Sequence, residues 1–338
     1  MIRHDLSSLP KYVPGKAMPD ALKLSSNESS LPPLPAAVEA MSDAASGANR
    51  YPDMGVTALR GALAKHLGVA VEEVTVGTGS SALCQQLVQA TCDKSDEVVF
   101  PWRSFEAYPI FAQIHGATPR PVPLKDQALD LDAMADAITE HTRLVFVCNP
   151  NNPTGTVVTK DEFAQFMERV PTDVVVALDE AYFEYVRTPD TPIATQLHGH
   201  YPNLVGLRTF SKAYGLAGAR VGYAFGPANI IEAMAQVAVP FSVNSLAQAG
   251  ALAALEAQDE LRARTDETVA QRGIVSEELK TAPSQANFVW LPGAPAQLAT
   301  ELSNNGVMVR SFPEGIRVTV TTAEETQKLI NAWNKVGA

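Results

Sequence analysis

Cysteine is scarce in this chain of 338 residues, which holds three: Cys84, Cys92 and Cys148. An odd number without metal-ligand spacing argues against a disulfide framework or a zinc site and for thiols in a reducing compartment. Basic residues are also in deficit, with 26 Lys and Arg against 37 Asp and Glu, a formal net charge of −11. With no run of Lys or Arg, that balance speaks against a nucleic-acid or anionic-membrane partner. No apolar stretch approaches the roughly 20 residues that span a bilayer. The start, Met1-Ile2-Arg3-His4-Asp5, lacks the apolar segment of a signal peptide. The expected compartment is therefore the cytoplasm, where the sequon Asn27-Glu28-Ser29 is idle. Missing too are His-Glu-x-x-His, Cys-x-x-Cys, a Walker loop and Gly-x-Gly-x-x-Gly, so no metal site is expected. Ser8-Leu9-Pro10-Lys11 spells Ser-x-x-Lys, but Pro10 denies it the helix that chemistry needs.

What is present is ordinary globular material, 46% hydrophobic and 19% charged, enough for a large core and two domains. Residues 1–35 are rich in Pro and Ser and read as an extended arm. A helix is expected over Pro35–Ala45, with proline in its first turn. Arg50–Asp53 reads as a turn. Val56, Leu59, Leu63 and Leu67 recur at helical spacing and stop at Gly68. Short apolar runs then alternate with helical segments: Val98–Phe100, Leu144–Cys148, Val174–Leu178, Leu204–Leu207 and Val221–Phe225. Continuous rather than alternating apolarity suits strands buried on both faces, and the alternation implies an α/β layer fold. Beyond Pro240 the pattern changes. A long helical stretch from Leu246 through Leu261 precedes Asn287–Leu291, Val307–Arg310 and Arg317–Thr321, as in a smaller α+β domain. The expected division is an arm at 1–35, a large domain at 36–240 and a small one at 241–338.

Three segments carry chemistry. Thr209-Phe210-Ser211-Lys212 leads into Gly215, Gly218 and Arg220 after an apolar run. It begins at a strand's C-terminal edge, where α/β folds bind ligands. Alone, a Ser-Lys step is ordinarily a surface lysine. Here an amine nucleophile stands beside two hydroxyls and a guanidinium able to grip a phosphate. Asn149-Pro150-Asn151-Asn152-Pro153-Thr154-Gly155 follows the run ending at Cys148 and reads as a rigid loop. An Asn amide held there can donate to a ring oxygen. Leu178-Asp179-Glu180-Ala181-Tyr182 ends another run. A carboxylate at such an end is often only a helix cap, but beside a cofactor it can pair with a protonated pyridine nitrogen.

In that order and spacing, the three segments resemble fold-type I aminotransferases dependent on pyridoxal 5′-phosphate. The branch is that of histidinol-phosphate and aromatic amino acid aminotransferases, and the likeness runs from Tyr12-Val13-Pro14-Gly15 to Arg317-Val318-Thr319-Val320. It implies a large domain built on a mostly parallel seven-stranded sheet flanked by helices, plus a smaller α+β domain. It implies that Lys212 holds the cofactor as a Schiff base and is the catalytic base. Asp179 would pair with the pyridine nitrogen, and Asn152 and Tyr182 with the 3′ oxygen. Thr209, Ser211 and Arg220 would bind the phosphate, helped by Gly79, Ser80 and Ser81 at a helix start. Many relatives carry acidic residues after the second glycine of this loop, where this chain has Ser81 and Ala82. Phe105 aligns with the aromatic that stacks on the pyridine ring. Tyr51 matches a tyrosine that reaches the partner subunit's phosphate, which implies a homodimer. Arg317 would clamp the substrate α-carboxylate, and Tyr12 and Asn27 would cover the substrate.

The resemblance implies a two-stage exchange of an amino group between an amino acid and a keto acid, probed by ping-pong kinetics. Leu24–Pro35 and Arg310–Arg317 look more like bacterial aromatic enzymes than histidinol-phosphate enzymes, which usually read Asn-Glu-Asn-Pro in the arm. Phenylalanine and tyrosine with 2-oxoglutarate are thus the expected substrates, and histidinol phosphate the alternative. A decarboxylase acting on threonine phosphate shares the scaffold and would release carbon dioxide. A non-enzymatic regulator with an aminotransferase-like domain would need a DNA-binding domain, for which the chain has no room, and its acidity opposes DNA.

Overall fold

The continuous apolar runs become strands of one sheet, because residues buried on both faces have no polar side to alternate with. The computed structural model describes Leu9, Met18 and residues 20–337; Tyr12 and the rest of its segment lie outside them. The strands in chain order are β1 (Leu22–Leu24), β2 (Val74–Gly77), β3 (Glu97–Trp102), β4 (Thr118–Pro123), β5 (Thr142–Cys148) and β6 (Val175–Asp179). There follow β7 (Leu204–Thr209), β8 (Gly222–Phe225), β9 (Phe288–Pro292), β10 (Val307–Phe312) and β11 (Gly315–Thr319). Seven of them form a sheet in the order β2-β8-β7-β6-β5-β3-β4. All neighbours run parallel except at β8, which is antiparallel to β2 and β7. The fold is α/β with a mostly parallel seven-stranded sheet, as expected.

Apolar side chains cover both faces of this sheet. One layer gathers Val145, Val147, Val176 and Leu178 with helix residues such as Leu59, Leu63 and Phe163. The other gathers Leu144, Phe146, Ala177 and Leu207 with Leu83, Leu87 and Tyr108. Alternate residues of β5 and β6 thus feed opposite layers, which fixes register, since a slip of one residue would exchange the layers. The helices Pro35–Ala45 and Thr57–Leu67 fall where the spacing places them, the second closed by Gly68 at φ 73°.

The stretch from Leu246 to Leu261 is a correction: it belongs to two helices, Ser245–Glu256 and Gln258–Glu278, broken at Ala257. The first is capped by Asn244, whose side chain accepts from the Ala247 amide, and it packs into the large layer through Ala247, Ala251 and Ala254. A second sheet has the order β1-β10-β11-β9, with β1 from the arm running parallel to β10. Its own core begins further along, at Val275 and Leu279, and includes Leu24, Val289, Ile316 and Trp333.

Candidate active site

The parallel strands β5, β6 and β7 end at one edge, and each delivers one of the three segments there. A cavity of about 500 Å³ opens at that edge. Among the residues lining it are Asn27, Ser80, Ser81, Phe105, Asn152, Asp179, Tyr182, Thr209, Ser211, Lys212, Arg220 and Arg317. Twelve of the fifteen residues proposed from sequence therefore line one cavity, although they span almost 300 positions.

Asp179 is the last residue of β6 and is buried. Its Oδ2 accepts from the Tyr108 hydroxyl at 2.6 Å and its Oδ1 from the Ala181 amide at 3.2 Å. Burial raises its carboxyl above the usual range, and the Tyr108 hydrogen bond offsets part of that. A cation entering beside it would reverse the shift. The loop after β5 is held from behind. Buried Asn151 joins the Ser104 hydroxyl, the Thr154 hydroxyl and the Arg103 carbonyl, and the Gly155 amide closes on the Asn151 carbonyl at 2.7 Å. Asn152 Oδ1 accepts from Arg317 Nη1, which leaves its Nδ2 as the group for a ligand.

Lys212 extends into the cavity and donates to the Ser26 carbonyl at 3.2 Å. Burial chiefly, helped by the Arg317 and Arg220 charges, lowers its ammonium to about 8, while Glu28 and Asp179 pull the other way. An amine partly neutral near physiological pH is a competent nucleophile and base. Arg220 stands behind Ser211: its Nη1 reaches the Ser211 hydroxyl at 3.3 Å, and Thr209 Oγ1 donates to the same oxygen at 3.0 Å. Arg220 occupies the left-handed region at φ 59°, unusual for a non-glycine residue and characteristic of sites held by their surroundings. Gly79, at φ 82°, precedes the helix Ser80–Thr91, and a β-carbon there would lie 2.6 Å from Arg220 Nη2. Two hydroxyls, a guanidinium and a helix N-terminus thus converge on one end of the cavity, the donor set a phosphate requires.

Asn27 lines the cavity but is committed to its neighbours. Its Nδ2 donates to Tyr182 Oη at 3.0 Å, and its Oδ1 accepts from Thr319. It sits where it orients Tyr182. Tyr51 stands apart on the surface, 83% exposed and packed against the Phe241 ring at 4.8 Å. Sequence reasoning passed over Tyr108, and also Glu28, Glu106 and Arg310, which line the cavity. Arg310 Nη2 pairs with Glu106 at 2.8 Å. Nothing local marks these residues: Tyr108 lies 71 positions from Asp179, and Glu106 lies 204 from Arg310.

A family model described as aminotransferase class I and II matches residues 19–332. The chain belongs to that aminotransferase family. Among curated proteins, an aromatic amino acid aminotransferase of Corynebacterium glutamicum is 63% identical over 340 residues, covering 100% of both chains. Another so named, from Corynebacterium efficiens, is 62% identical over 99% of each. Among solved structures, histidinol-phosphate aminotransferase from Sinorhizobium meliloti, in complex with pyridoxal-5′-phosphate, superposes with a TM-score of 0.91. It is 28% identical, with 99% of this chain and 97% of that one covered. This aminotransferase therefore shares its fold with an enzyme of one specificity and most of its sequence with proteins named for another.

Proposed function

We propose that this aminotransferase holds pyridoxal 5′-phosphate in the cavity and exchanges amino groups between phenylalanine or tyrosine and 2-oxoglutarate. The observation that carries the reading is one cavity bearing a buried amine, a buried carboxylate and a phosphate-type donor cluster, those of Lys212, Asp179 and Ser211 with Arg220. The donors fit the group's three ends: an aldehyde for Lys212, a pyridine nitrogen for Asp179 and a phosphate for Arg220, Ser211, Thr209 and the amides at Gly79, Ser80 and Ser81. Phe105 would lie against the ring. Asn152 Nδ2 and Tyr182 Oη would hydrogen-bond its oxygen.

When bound, pyridoxal phosphate supplies an electron-accepting ring that stabilises charge developing at the substrate α-carbon. Lys212 Nζ is the base that takes the α-proton and returns it. Asp179 holds a proton on the ring nitrogen. Arg317, buried and in contact with Asn152 and the Ser25 carbonyl, would receive the α-carboxylate, a planar bidentate task. Asn27 positions Tyr182; Tyr12, expected from the resemblance to cover the substrate, lies outside the described residues.

The aromatic assignment rests on the named relatives and on the apolar surface that Phe105, Ile110, Phe111 and Phe312 add to the cavity lining. Glu28 and Glu106 also face this space, and Glu106 engages Arg310, so a phosphate dianion would meet carboxylates as well as cations. That disfavours histidinol phosphate, although the scaffold is common to both.

The proposal extends to a homodimer. Tyr51 and Phe241 form an exposed aromatic pair, with exposed Met54 and Val239 close to them in sequence, and this supports the reading of Tyr51 as a residue that completes a neighbour's phosphate site. It extends also to the arm, large and small domains, with the helix Ser245–Glu256 packed on the large one, and to a cytoplasmic location. No helix among the described residues is long and apolar enough to cross a membrane.

The test loads the protein with pyridoxal phosphate and adds phenylalanine or histidinol phosphate separately, without a keto acid. The expected result is rapid bleaching of the visible band by phenylalanine, with phenylpyruvate identified by mass. Bleaching chiefly by histidinol phosphate would overturn the substrate assignment. Carbon dioxide release would point to a decarboxylase, and failure to form a visible band would overturn the cofactor.

A further inference from the structure

Tyr108 is fully buried at the start of the helix Tyr108–His115 and lies behind the cavity rather than in its lining. Its ring is stacked on Phe146, with centroids 4.3 Å apart and planes 9° from parallel. The same ring meets Phe105 edge to face at 5.4 Å. Its hydroxyl donates to Asp179 Oδ2 at 2.6 Å. With the Ala181 amide on Oδ1, each carboxylate oxygen has a protein donor, and rotation of the carboxylate would break one bond or both. Asp179 itself lines the cavity.

We propose that Tyr108 is a positioning residue for the amino-group exchange, its hydroxyl fixing Asp179 as an oriented carboxylate and its ring backing Phe105. One side chain thereby sets both the acidic partner of the cofactor's ring nitrogen and the wall its face rests on. This inference rests on the reading of Asp179 as that partner.

The chemistry favours a neutral donor at this place. A buried carboxylate without donors tends to take up a proton and lose its charge. A lysine or arginine would prevent that but would neutralise Asp179, leaving it little reason to hold a proton on the ring nitrogen. A phenol stabilises the carboxylate without cancelling its charge. Burial pushes the Tyr108 phenol itself well above its ordinary range, so it remains the O–H donor. The other titratable groups facing Asp179 are Cys148 on β5, Cys84 on the helix Ser80–Thr91, Tyr182, its neighbour Glu180 and the amine of Lys212. Burial holds both thiols in the neutral form, so neither competes with the hydroxyl. If Tyr108 served packing alone, phenylalanine would do as well, because the stack on Phe146 and the edge on Phe105 use only the ring.

The test is the holoenzyme of Tyr108→Phe reconstituted with ring-¹⁵N-labelled pyridoxal phosphate, with Asp179→Asn as control. In the parent enzyme the ¹⁵N shift should be that of a protonated pyridine. In Tyr108→Phe it should move toward the unprotonated value, and the move should grow as pH rises. The value of kcat should fall about ten- to a hundredfold, the scale of a hydrogen bond to a charged group, with KM little changed. A Tyr108→Phe enzyme with the parent ¹⁵N shift and parent kcat would overturn the inference, provided that Asp179→Asn does move the shift. If Asp179→Asn leaves it unmoved, the reading of Asp179 itself fails. Should Tyr108→Phe fold poorly, 3,5-difluorotyrosine at position 108 supplies a stronger donor. It should hold the ring protonated to higher pH, and no change in that pH profile would equally overturn the inference.

Discussion

Lys212 shows how a residue's surroundings decide its chemistry. In water its ammonium would stay protonated well beyond neutrality. In the cavity burial, with two guanidinium charges nearby, brings it to about 8. The sign follows directly: below that value the amine is protonated and cannot attack an aldehyde, and above it the amine is neutral. The rate at which the cofactor-free protein captures pyridoxal phosphate should therefore rise with pH and level off just above 8. Stopped-flow growth of the visible band from about pH 6 to about pH 10 reads this directly. A rate still climbing at the upper end would mean an ordinary lysine. Lys212, Asp179 and Asn152 can be placed from sequence because each follows an apolar strand within a few residues, so one local pattern fixes both the residue and its position at the sheet edge. Tyr108, Glu106 and Arg310 cannot, because their partners are brought together only by the packing of distant elements.

At the scale of elements, sequence and structure part where polar or proline content hides a strand. Thr118–Pro123 carries three prolines, yet it forms β4. It is an edge strand, paired with β3 alone, so its missing amide donors face outward and cost the sheet little. The helical stretch from Leu246 reads as continuous because periodicity does not register one residue, Ala257, turning out of helical geometry. The turn between β2 and the helix Ser80–Thr91 offers the sharper prediction. Gly79 and Gly68 both adopt positive φ, but Gly68 (ψ 34°) lies in the left-handed region that alanine enters at modest cost, whereas Gly79 (ψ 161°) lies in a region open essentially to glycine alone. Only at Gly79 would the new methyl strike Arg220; at Gly68 it meets open space. Gly79→Ala should raise the cofactor dissociation constant by about tenfold or more, the loss of one charge-assisted contact. Gly68→Ala should lower the melting temperature alone. Equal cofactor affinity in the two variants, measured by titration, would show that Arg220 is not the group disturbed.

For the whole molecule, the question is whether one chain holds a complete site. Tyr51 is solvent-exposed on its own chain and packed against the exposed Phe241, with exposed Met54 and Val239 close to these two in sequence, and it does not line the cavity of its own chain. An aromatic held in the open beside other apolar groups is expected where a second copy covers it. Complementation distinguishes a residue acting on its own chain from one acting across a dimer. Lys212→Ala removes the amine, and Tyr51→Ala removes the reaching ring, so each homodimer should be impaired. If the chains exchange and Tyr51 works across the interface, a mixed dimer contains one site that keeps both residues. The other site lacks both. Random reassortment then restores up to about a quarter of wild-type turnover. If Tyr51 acts within its own chain, each site of the mixed dimer lacks one residue and mixing restores nothing. Sedimentation of Phe241→Asp adds the physical half of the argument: a charge set in this aromatic pair should shift the protein toward monomer and weaken cofactor binding together. A monomeric variant that keeps full cofactor affinity would show that each chain's site is complete without its neighbour.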